Sequence, residues 1–222
     1  MELVERIDAM IDERHLLRHP FYAKWVAGTL PIENLREYAR QYYAFESTFP
    51  RYLSALHSRS DRPEVRASLL ENLWDEEHGE ANHRELWLRF AEGLGVDRED
   101  VVAARLNVAT RSLLDTYWEA VQTSPVAAGV AAVHAYERQV PAVAQAKIDG
   151  LRHWYGITDE RTLGFFDVHT VLDMEHYEAE RMIIGRATIA EETRVLQATA
   201  SALQAWWDFL DAVDAREEPV AV

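Results

Sequence analysis

The chain has 222 residues, of which 48% are hydrophobic, and this content supports a packed core and excludes an intrinsically disordered protein. Its 38 acidic and 23 basic side chains give a formal net charge of −15, which would repel nucleic acid. The absence of cysteine excludes disulfides, thiolate metal sites and a cysteine nucleophile. Any metal chemistry must therefore use histidine and carboxylate ligands.

The sequence contains no apolar run that reaches the roughly 20 residues needed to span a bilayer. The first residues, MELVERIDAMIDERHLL, are charged throughout, whereas a secretory signal peptide has an apolar centre. We therefore expect a cytoplasmic protein without a membrane or nucleic-acid partner.

Apolar residues recur every three or four positions along most of the chain, which predicts helices and no strands. Glycine and proline mark the breaks, and Pro50 is expected to kink the third helix. The predicted helices cover residues 3–17, 21–28, 32–57, 62–93, 97–121, 125–150, 158–184 and 187–215. Seven or eight helices with short loops are typical of one bundle, so we expect a single all-α domain over 1–215 and a disordered tail over 216–222.

The predicted helix 62–93 carries acidic and histidine side chains at helical spacing. Glu76 and His83 are seven residues apart, so they would project from one face about 20° apart. Glu80 lies between them and forms with His83 a Glu-x-x-His string of the ferritin-like kind. The helix therefore offers Glu76 and His83 as metal ligands, with Glu80 as a replacement or an addition.

Two further helices carry residues of the same kind. His169, Asp173 and His176, spaced by four and three, share one stripe of the predicted helix 158–184. Glu137 follows a long apolar run in the helix 125–150, and His134 precedes it by one turn as a candidate partner. In apolar surroundings, several of these groups would need a metal ion or an ion pair to satisfy them.

Three carboxylates and three imidazoles on facing helices predict a dinuclear metal site. Hard oxygen and borderline nitrogen ligands suit iron or manganese, and Fe/Fe and Fe/Mn pairs use the same ligand types. The alternative is that each of these acids and histidines lies on a solvated helix face.

The 23 basic side chains comprise 21 arginines and only two lysines, Lys24 and Lys147. Lysine, unlike arginine, can lose its proton when buried and act as a nucleophile or amine donor. Lys147 is therefore a candidate for chemistry, although a lysine near a helix end can also complement the helix dipole.

The order and spacing of the candidate ligands resemble those of the haem-oxygenase-like diiron oxidases. The pattern is Glu-x6-His, then a lone helical Glu, then His-x3-Asp-x2-His, formed by Glu76, His83, Glu137, His169, Asp173 and His176. The segments HPFYAKWVAGTLP and REYARQYYAFESTFPRYLSALHS are also similar to that superfamily, and the resemblance covers about residues 15–210. It implies a haem-oxygenase-like helical bundle. The thiaminase-like branch relies on cysteine, and the cofactorless quinone-forming branch would not need this ligand set.

Within the superfamily, the chain resembles the chlamydial proteins associating with death domains and their bacterial relatives, which make para-aminobenzoate for folate. The resemblance implies an O2-dependent oxidase with two metal ions, Fe/Fe or Fe/Mn, an external reductant and a homodimeric assembly. It also implies a self-sacrificing reaction through a tyrosine radical, in which the enzyme's own tyrosine supplies the ring and a lysine the amino group. The matching residues are Tyr22, Tyr38 and Lys147.

Two other functions remain open. A diiron oxidase of the same kind could act on a separate small molecule by N-oxygenation, desaturation or C–C cleavage. A metal-free helical protein could instead act by binding partner proteins, and it would then contain no stoichiometric metal. Without the resemblance, Tyr22 and Tyr38 would be interpreted as core residues, because a tyrosine on an apolar helix face is usually packed.

Overall fold

Helices make up the regular structure of residues 2–170 and 174–216, the part of the chain that the computed structural model describes. These residues contain no β-strand, so the predicted all-α fold class is confirmed. The α-helices are α1 (Leu3–Glu13), α2 (Pro20–Val26), α3 (Ile32–Glu46), α4 (Phe49–Arg59), α5 (Pro63–Glu77), α6 (His83–Gly93), α7 (Arg98–Val102), α8 (Val108–Thr123), α9 (Val126–Glu137), α10 (Val140–Trp154), α11 (Glu160–Val168), α12 (Met174–Gly185) and α13 (Ile189–Ala215). A 3₁₀ turn, Leu16–Arg18, lies between α1 and α2.

Five of the predicted helices are each divided into two, so the described residues form thirteen α-helices rather than seven or eight. The predicted helices 32–57, 62–93, 97–121, 125–150 and 158–184 become α3 and α4, α5 and α6, α7 and α8, α9 and α10, and α11 and α12. Apolar residues continue at helical spacing on both sides of the breaks, and for this reason the sequence pattern did not reveal them.

Proline sets two of these breaks. Pro50 and Pro141 lie in the first turns of α4 and α10, where their missing N–H groups are not needed. A proline ring clashes with the carbonyl group four residues earlier. Those residues are Glu46 and Glu137, the last residues of α3 and α9. The kink predicted at Pro50 is therefore a full break, and each proline ends a helix at a glutamate.

The core is built around α9, whose buried side chains are mostly alanine and valine. This thin helix packs against α4, α8, α12 and α13. Gly129 permits the close approach, because a Cβ atom there would lie 2.5 Å from Leu56 Cδ2 and 3.1 Å from the Ala120 carbonyl oxygen. The core also contains large buried rings, among them Trp25, Trp87, Trp206, Tyr38, Tyr42 and Phe45. As a result, Glu137 at the end of α9 lies within the bundle.

None of the described helices is long and apolar enough to cross a membrane. Of the tail predicted over 216–222, only Arg216 lies among the described residues. The single domain over 1–215 and the homodimer stay predictions.

Candidate metal centre

A cavity of about 380 Å³ is lined by residues from the C-terminal ends of four helices. Glu46, Glu76 and Glu137 stand in the last turns of α3, α5 and α9, and His169 caps the end of α11. All four side chains line the cavity. The negative end of a helix dipole disfavours a carboxylate and favours a cation. A bound cation would therefore stabilise this arrangement.

Glu76, His83 and His169 form one group of candidate ligands, each with an atom within 4.8 Å of the other two. Glu76 Oε2 and His83 Nδ1 are 2.8 Å apart. Both atoms are nevertheless buried without a hydrogen-bond partner among the described residues. A cation shared by the two atoms would satisfy both of them.

His169 is oriented for metal binding by its own helix. Its Nδ1 lies 2.6 Å from the carbonyl oxygen of Phe165, and since a carbonyl can only accept, Nδ1 carries the proton. The lone pair on Nε2 is then free to bind a metal ion. Burial, together with the neighbouring charge of His83, lowers the pKa of His169 to about 3. The ring is therefore neutral at physiological pH, which is the form that binds metals.

Glu76 also affects its two ionisable neighbours, His83 and Glu46. Burial acts to lower the pKa of His83, but the carboxylates of Glu76 and Glu46 outweigh it and raise that pKa to about 9. Burial and the charge of Glu76 raise the pKa of Glu46 to about 8. Without a metal ion, protons neutralise this group, and metal ions would displace them.

Glu137 and Glu180 form a second group on the same cavity. Glu137 Oε1 accepts a hydrogen bond from Asn72 Nδ2 at 3.1 Å, while Oε2 is buried and has no hydrogen-bond partner among the described residues. The charge of Glu180, on the same cavity, adds to the burial that acts on Glu137. Burial raises the pKa of Glu180 to about 7 and places that of Glu137 well above its ordinary range.

The remaining predicted ligands are placed differently. His176 lines the same cavity, and its Nε2 lies 3.8 Å from Asp75 Oδ2. Asp173 lies outside the described residues. Glu80 is exposed in the loop between α5 and α6 and does not line the cavity. The alternative that makes Glu80 a ligand is therefore not supported, because the predicted helix 62–93 is interrupted there.

Two pairs of predicted ligands were expected to lie on one face of a single helix, and this expectation was wrong. Glu76 and His83 meet across the break between α5 and α6, not along one helix face. His169 and His176 likewise belong to different helices. Both pairs still line one cavity.

Glu46 and Glu180 were not predicted, although both are buried and line the cavity. A signal was present for each. Glu180 continues the four-and-three spacing of the histidine stripe, four residues after His176. Glu46 follows Tyr38 and Tyr42 at intervals of four on the buried face of α3. A carboxylate at a core position of a helix pattern is the feature to look for.

The donor set fits iron or manganese. The cavity is lined by the five carboxyl side chains of Glu46, Asp75, Glu76, Glu137 and Glu180, together with three histidines. Arg138, the arginine among the lining residues, forms ion pairs with Asp8 and Asp12 instead. Oxygen and nitrogen donors around buried negative charge are suited to divalent iron or manganese.

A smaller internal cavity of about 20 Å³ adjoins the first and contains the predicted tyrosines and lysine. Lys147 Nζ donates a hydrogen bond to Tyr38 Oη at 2.7 Å, and the hydroxyl groups of Tyr22 and Tyr38 are 3.4 Å apart. All three side chains are at most 5% exposed. The structure thus brings these three predicted residues into one contact group.

Lys147 departs from ordinary lysine behaviour. Burial lowers its pKa to about 7, only partly opposed by the charge of Glu46. Burial also raises the pKa values of Tyr22 and Tyr38, so both phenols stay protonated. At neutral pH a large fraction of Lys147 is therefore an uncharged amine in contact with a phenol.

The two cavities share part of their walls. Tyr136, Val140 and His169 line both of them. A hydrogen bond joins the hydroxyl groups of Tyr136 and Tyr42, and the ring of Tyr42 lies 5.4 Å from that of Tyr38. The candidate metal ligands and the phenol–amine group are therefore separated by one layer of side chains.

Carboxylate and imidazole donors buried in a helical bundle, next to oxidisable phenols, define the class of non-haem metal-dependent redox enzymes. The chain belongs to the family of iron-containing redox enzymes with a haem-oxygenase-like fold, and matches that family over residues 36–207.

Named relatives agree with this assignment. The chain is 41% identical over 220 residues to a 4-aminobenzoate synthase of Nitrosomonas europaea, covering 94% of this chain and 89% of the relative. It is 39% identical over 211 residues to a 4-aminobenzoate synthase of Chlamydia muridarum, covering 95% of this chain and 89% of the relative. Among solved structures, a TenA homologue from Pseudomonas syringae superposes with a TM-score of 0.80 at 16% identity, over 95% of this chain and 90% of that one. This last likeness concerns the fold alone.

Proposed function

We propose that this chain is a dinuclear metal-dependent oxidase that forms para-aminobenzoate for folate biosynthesis from one of its own tyrosines. Tyr22 or Tyr38 supplies the ring, and Lys147 supplies the amino group. The metal ligands are Glu76, His83, Glu137, His169, Asp173 and His176, which bind Fe/Fe or Fe/Mn. O2 is the oxidant, and an external reductant prepares the metal ions. The relatives named 4-aminobenzoate synthase support the product.

The observation that carries the proposal is the contact between Lys147 Nζ and Tyr38 Oη, one layer of side chains away from the cavity. In para-aminobenzoate the nitrogen stands where tyrosine has its phenolic oxygen. The ring carbon must therefore exchange its C–O bond for a C–N bond, with the phenolic oxygen leaving as water, while the bond between Nζ and Cε of the lysine breaks and Cε is oxidised to an aldehyde. The side-chain Cβ becomes the carboxylate carbon when the Cα–Cβ bond breaks, and O2 is the oxidant for both carbon centres.

Three buried side chains of the protein prepare this exchange. Burial keeps part of Lys147 uncharged and therefore nucleophilic at neutral pH. Its hydrogen bond to Tyr38 holds the amine beside the phenol, and the Tyr22 hydroxyl lies within reach of the same pair. Bound metal ions would supply the reduction of O2 and the one-electron oxidation of a phenol.

Purified protein loaded with iron or manganese tests the proposal when it receives reductant and O2 but no organic substrate. We expect at most one equivalent of para-aminobenzoate per chain, because a backbone-attached tyrosine cannot be replaced. Peptide mass spectrometry should show a loss of mass in the peptide that contains Tyr22 or Tyr38 and a change at Lys147.

The two lysines provide a matched control. Lys147→Arg should abolish the product, because arginine keeps the charge but cannot donate a free amine. Lys24→Arg should leave the yield unchanged, because Lys24 is partly exposed and paired with Asp214. Tyr22→Phe and Tyr38→Phe identify the consumed ring. Many turnovers on an added substrate, with Lys147→Arg fully active, would contradict the proposal.

A second candidate is an oxidase of the same class that acts on a separate small molecule by N-oxygenation, desaturation or C–C cleavage. The volume of the main cavity, about 380 Å³, favours it, because small-molecule sites typically measure about 300–1,000 Å³. Catalytic turnover with an added substrate distinguishes this function from the self-sacrificing one. The metal-free interaction protein receives no support from a cavity lined by five carboxyl groups.

A further inference from the structure

Glu180 lies beside Glu137 in the cavity and is not one of the six predicted ligands. Its side chain is 6% exposed, and Oε2 of Glu137 on the same cavity is buried without a hydrogen-bond partner among the described residues. Two carboxyl groups on one cavity wall can bind the same cation.

His134 fixes the position of Glu180. This histidine of α9 is fully buried, and its Nδ1 lies 2.8 Å from Glu180 Oε2. When Glu180 is ionised, as a metal ligand is, Oε2 can only accept, and Nδ1 is then the donor. The bond holds one oxygen of Glu180 and leaves the other for a partner in the cavity.

Asp8 of α1 lies on the other side of the same imidazole. Its Oδ1 is 3.6 Å from His134 Nε2 and 3.2 Å from Arg138 Nε, and its Oδ2 is paired with Arg181. The 3.6 Å separation is too long for a hydrogen bond, and Asp8 Oδ1 and His134 Nε2 are both buried without a hydrogen-bond partner among the described residues. Asp8 is held by the two arginines instead, so the side chain that orients Glu180 is His134.

Each of the two carboxyl groups is held in place by one neighbour. Asn72 Nδ2 donates to Glu137 Oε1, and His134 Nδ1 lies 2.8 Å from Glu180 Oε2. A divalent cation would provide both fixed carboxyl groups with a partner and offset their negative charge.

We infer that Glu180 is an additional ligand of the metal ion that Glu137 binds, and that His134 is a positioning residue for it. This inference rests on the proposed dinuclear centre. It adds a seventh side chain to the ligand set.

The number of Mn²⁺ ions bound per chain tests the inference, measured by equilibrium dialysis with elemental analysis. Wild-type protein should bind two ions. Glu180→Gln should bind one at the Mn²⁺ concentration that saturates the wild type, with about 10–100-fold weaker binding of the other. Glu178→Gln is the matched control, because Glu178 is exposed on the same helix and this substitution removes the same charge. It should bind two ions.

A spectroscopic measurement separates a ligand from a residue that only supports the fold. Two coupled Mn²⁺ ions in the wild type should give the broad electron paramagnetic resonance signal of a pair, and Glu180→Gln should give the six-line signal of one isolated ion. His134→Gln should weaken the binding of the same ion about tenfold. The signal of the coupled pair should then return at a higher Mn²⁺ concentration.

The outcomes that contradict the inference differ from those that contradict the proposed function. If Glu180→Gln binds two ions as tightly as the wild type does, Glu180 is not a ligand, and the dinuclear centre stands. If the wild type binds fewer than two ions, both fail. Should Glu180→Gln not fold by circular dichroism, Glu180→Asp replaces it, and unchanged affinity in that variant overturns the inference.

Discussion

The amino group of Lys147 is surrounded by aromatic rings. Its Nζ lies within 6 Å of six ring centroids, those of Tyr22, Trp25, Tyr38, Tyr42, Trp87 and Phe166. Ring faces attract a cation, but they replace only part of its hydration. Burial therefore still lowers the pKa of Lys147 to about 7. The same surroundings that make this amine reactive also make its charge unfavourable in the folded state.

This shift predicts a dependence of stability on pH. The pKa of Lys147 is lower in the folded chain than the ordinary value of 10.5, so the unfolded chain binds more protons between about pH 7 and 10.5. The contribution of Lys147 to the free energy of unfolding should therefore rise with pH across this window, by at most about 1.4 kcal/mol per pH unit, and should be lost as the pH falls toward 7. The raised pKa values of His83 and Glu46 act in the opposite direction, so the effect of Lys147 is measured as a difference between wild type and a variant.

Urea unfolding at pH 7.5 and pH 9.5 measures this effect, with Lys147→Met as the comparison. Methionine is similar in length and does not titrate, so the free energy of unfolding should change more positively between these pH values in the wild type than in this variant. Lys24→Met is the control and should change as the wild type does, because Lys24 is partly exposed and paired with Asp214. An equal change in wild type and Lys147→Met would show that the amine is not desolvated.

At the scale of the helices, the side-chain types at the site could be predicted and their geometry could not. Spacing identified Glu76 and His83 because core helices rarely carry such residues without a purpose. It did not reveal the break at 78–82, where the chain turns at Gly79 with a φ of 85°. Glu46 and Glu180 were missed because a single acidic residue in an amphipathic pattern resembles a solvated position. Only the packing of the neighbouring helices shows that both are buried.

The close packing of α9 predicts that one added methyl group, that of an alanine at position 129, destabilises the protein. Gly129→Ala would bring Cβ to 3.1 Å from the Ala120 carbonyl oxygen and 3.2 Å from Val121 Cα, which are backbone atoms that cannot move aside. We expect a loss of about 1–3 kcal/mol in the free energy of unfolding. Chemical denaturation measures it.

Gly164→Ala is the matched control within α11. Its nearest neighbour would be Leu86 Cδ2 at 3.5 Å, an ordinary contact, so alanine should be neutral or stabilise the helix by up to about 1 kcal/mol. If Gly129→Ala were as well tolerated as Gly164→Ala, the close approach of α9 to its neighbours would be wrong.

The whole molecule carries a net charge of −15, and part of this charge lies inside it. Five carboxyl side chains line one cavity. Repulsion within this group opposes folding until cations or protons neutralise it. Metal binding and folding should therefore be linked, since an ion that binds only the folded chain adds to its stability.

Thermal unfolding with and without Mn²⁺ tests this link. At a free Mn²⁺ concentration about 100 times the dissociation constant, one bound ion should add about 2.7 kcal/mol to the free energy of unfolding. That corresponds to a rise in Tm of about 5–11 °C for a chain of this size. His83→Ala, Glu137→Ala and His176→Ala should lose most of this rise and keep their helical content.

Glu80→Ala is the control for this measurement, because Glu80 is exposed outside the cavity, and it should keep the full rise. An equal rise in all three site variants would show that the ions bind elsewhere on the acidic surface. A rise that high salt removes from the wild type would indicate the same.

The helix ends at the cavity have a consequence for the choice of metal. Glu46, Glu76, Glu137 and His169 lie at the C-terminal ends of α3, α5, α9 and α11, so backbone carbonyl dipoles add to the attraction of their side chains. This attraction depends on charge and not on the identity of the element. With nitrogen and oxygen donors, zinc and copper bind more tightly than iron or manganese. Correct loading is therefore governed by which ions the cell supplies while the chain folds, and a zinc-rich medium should yield folded but inactive protein.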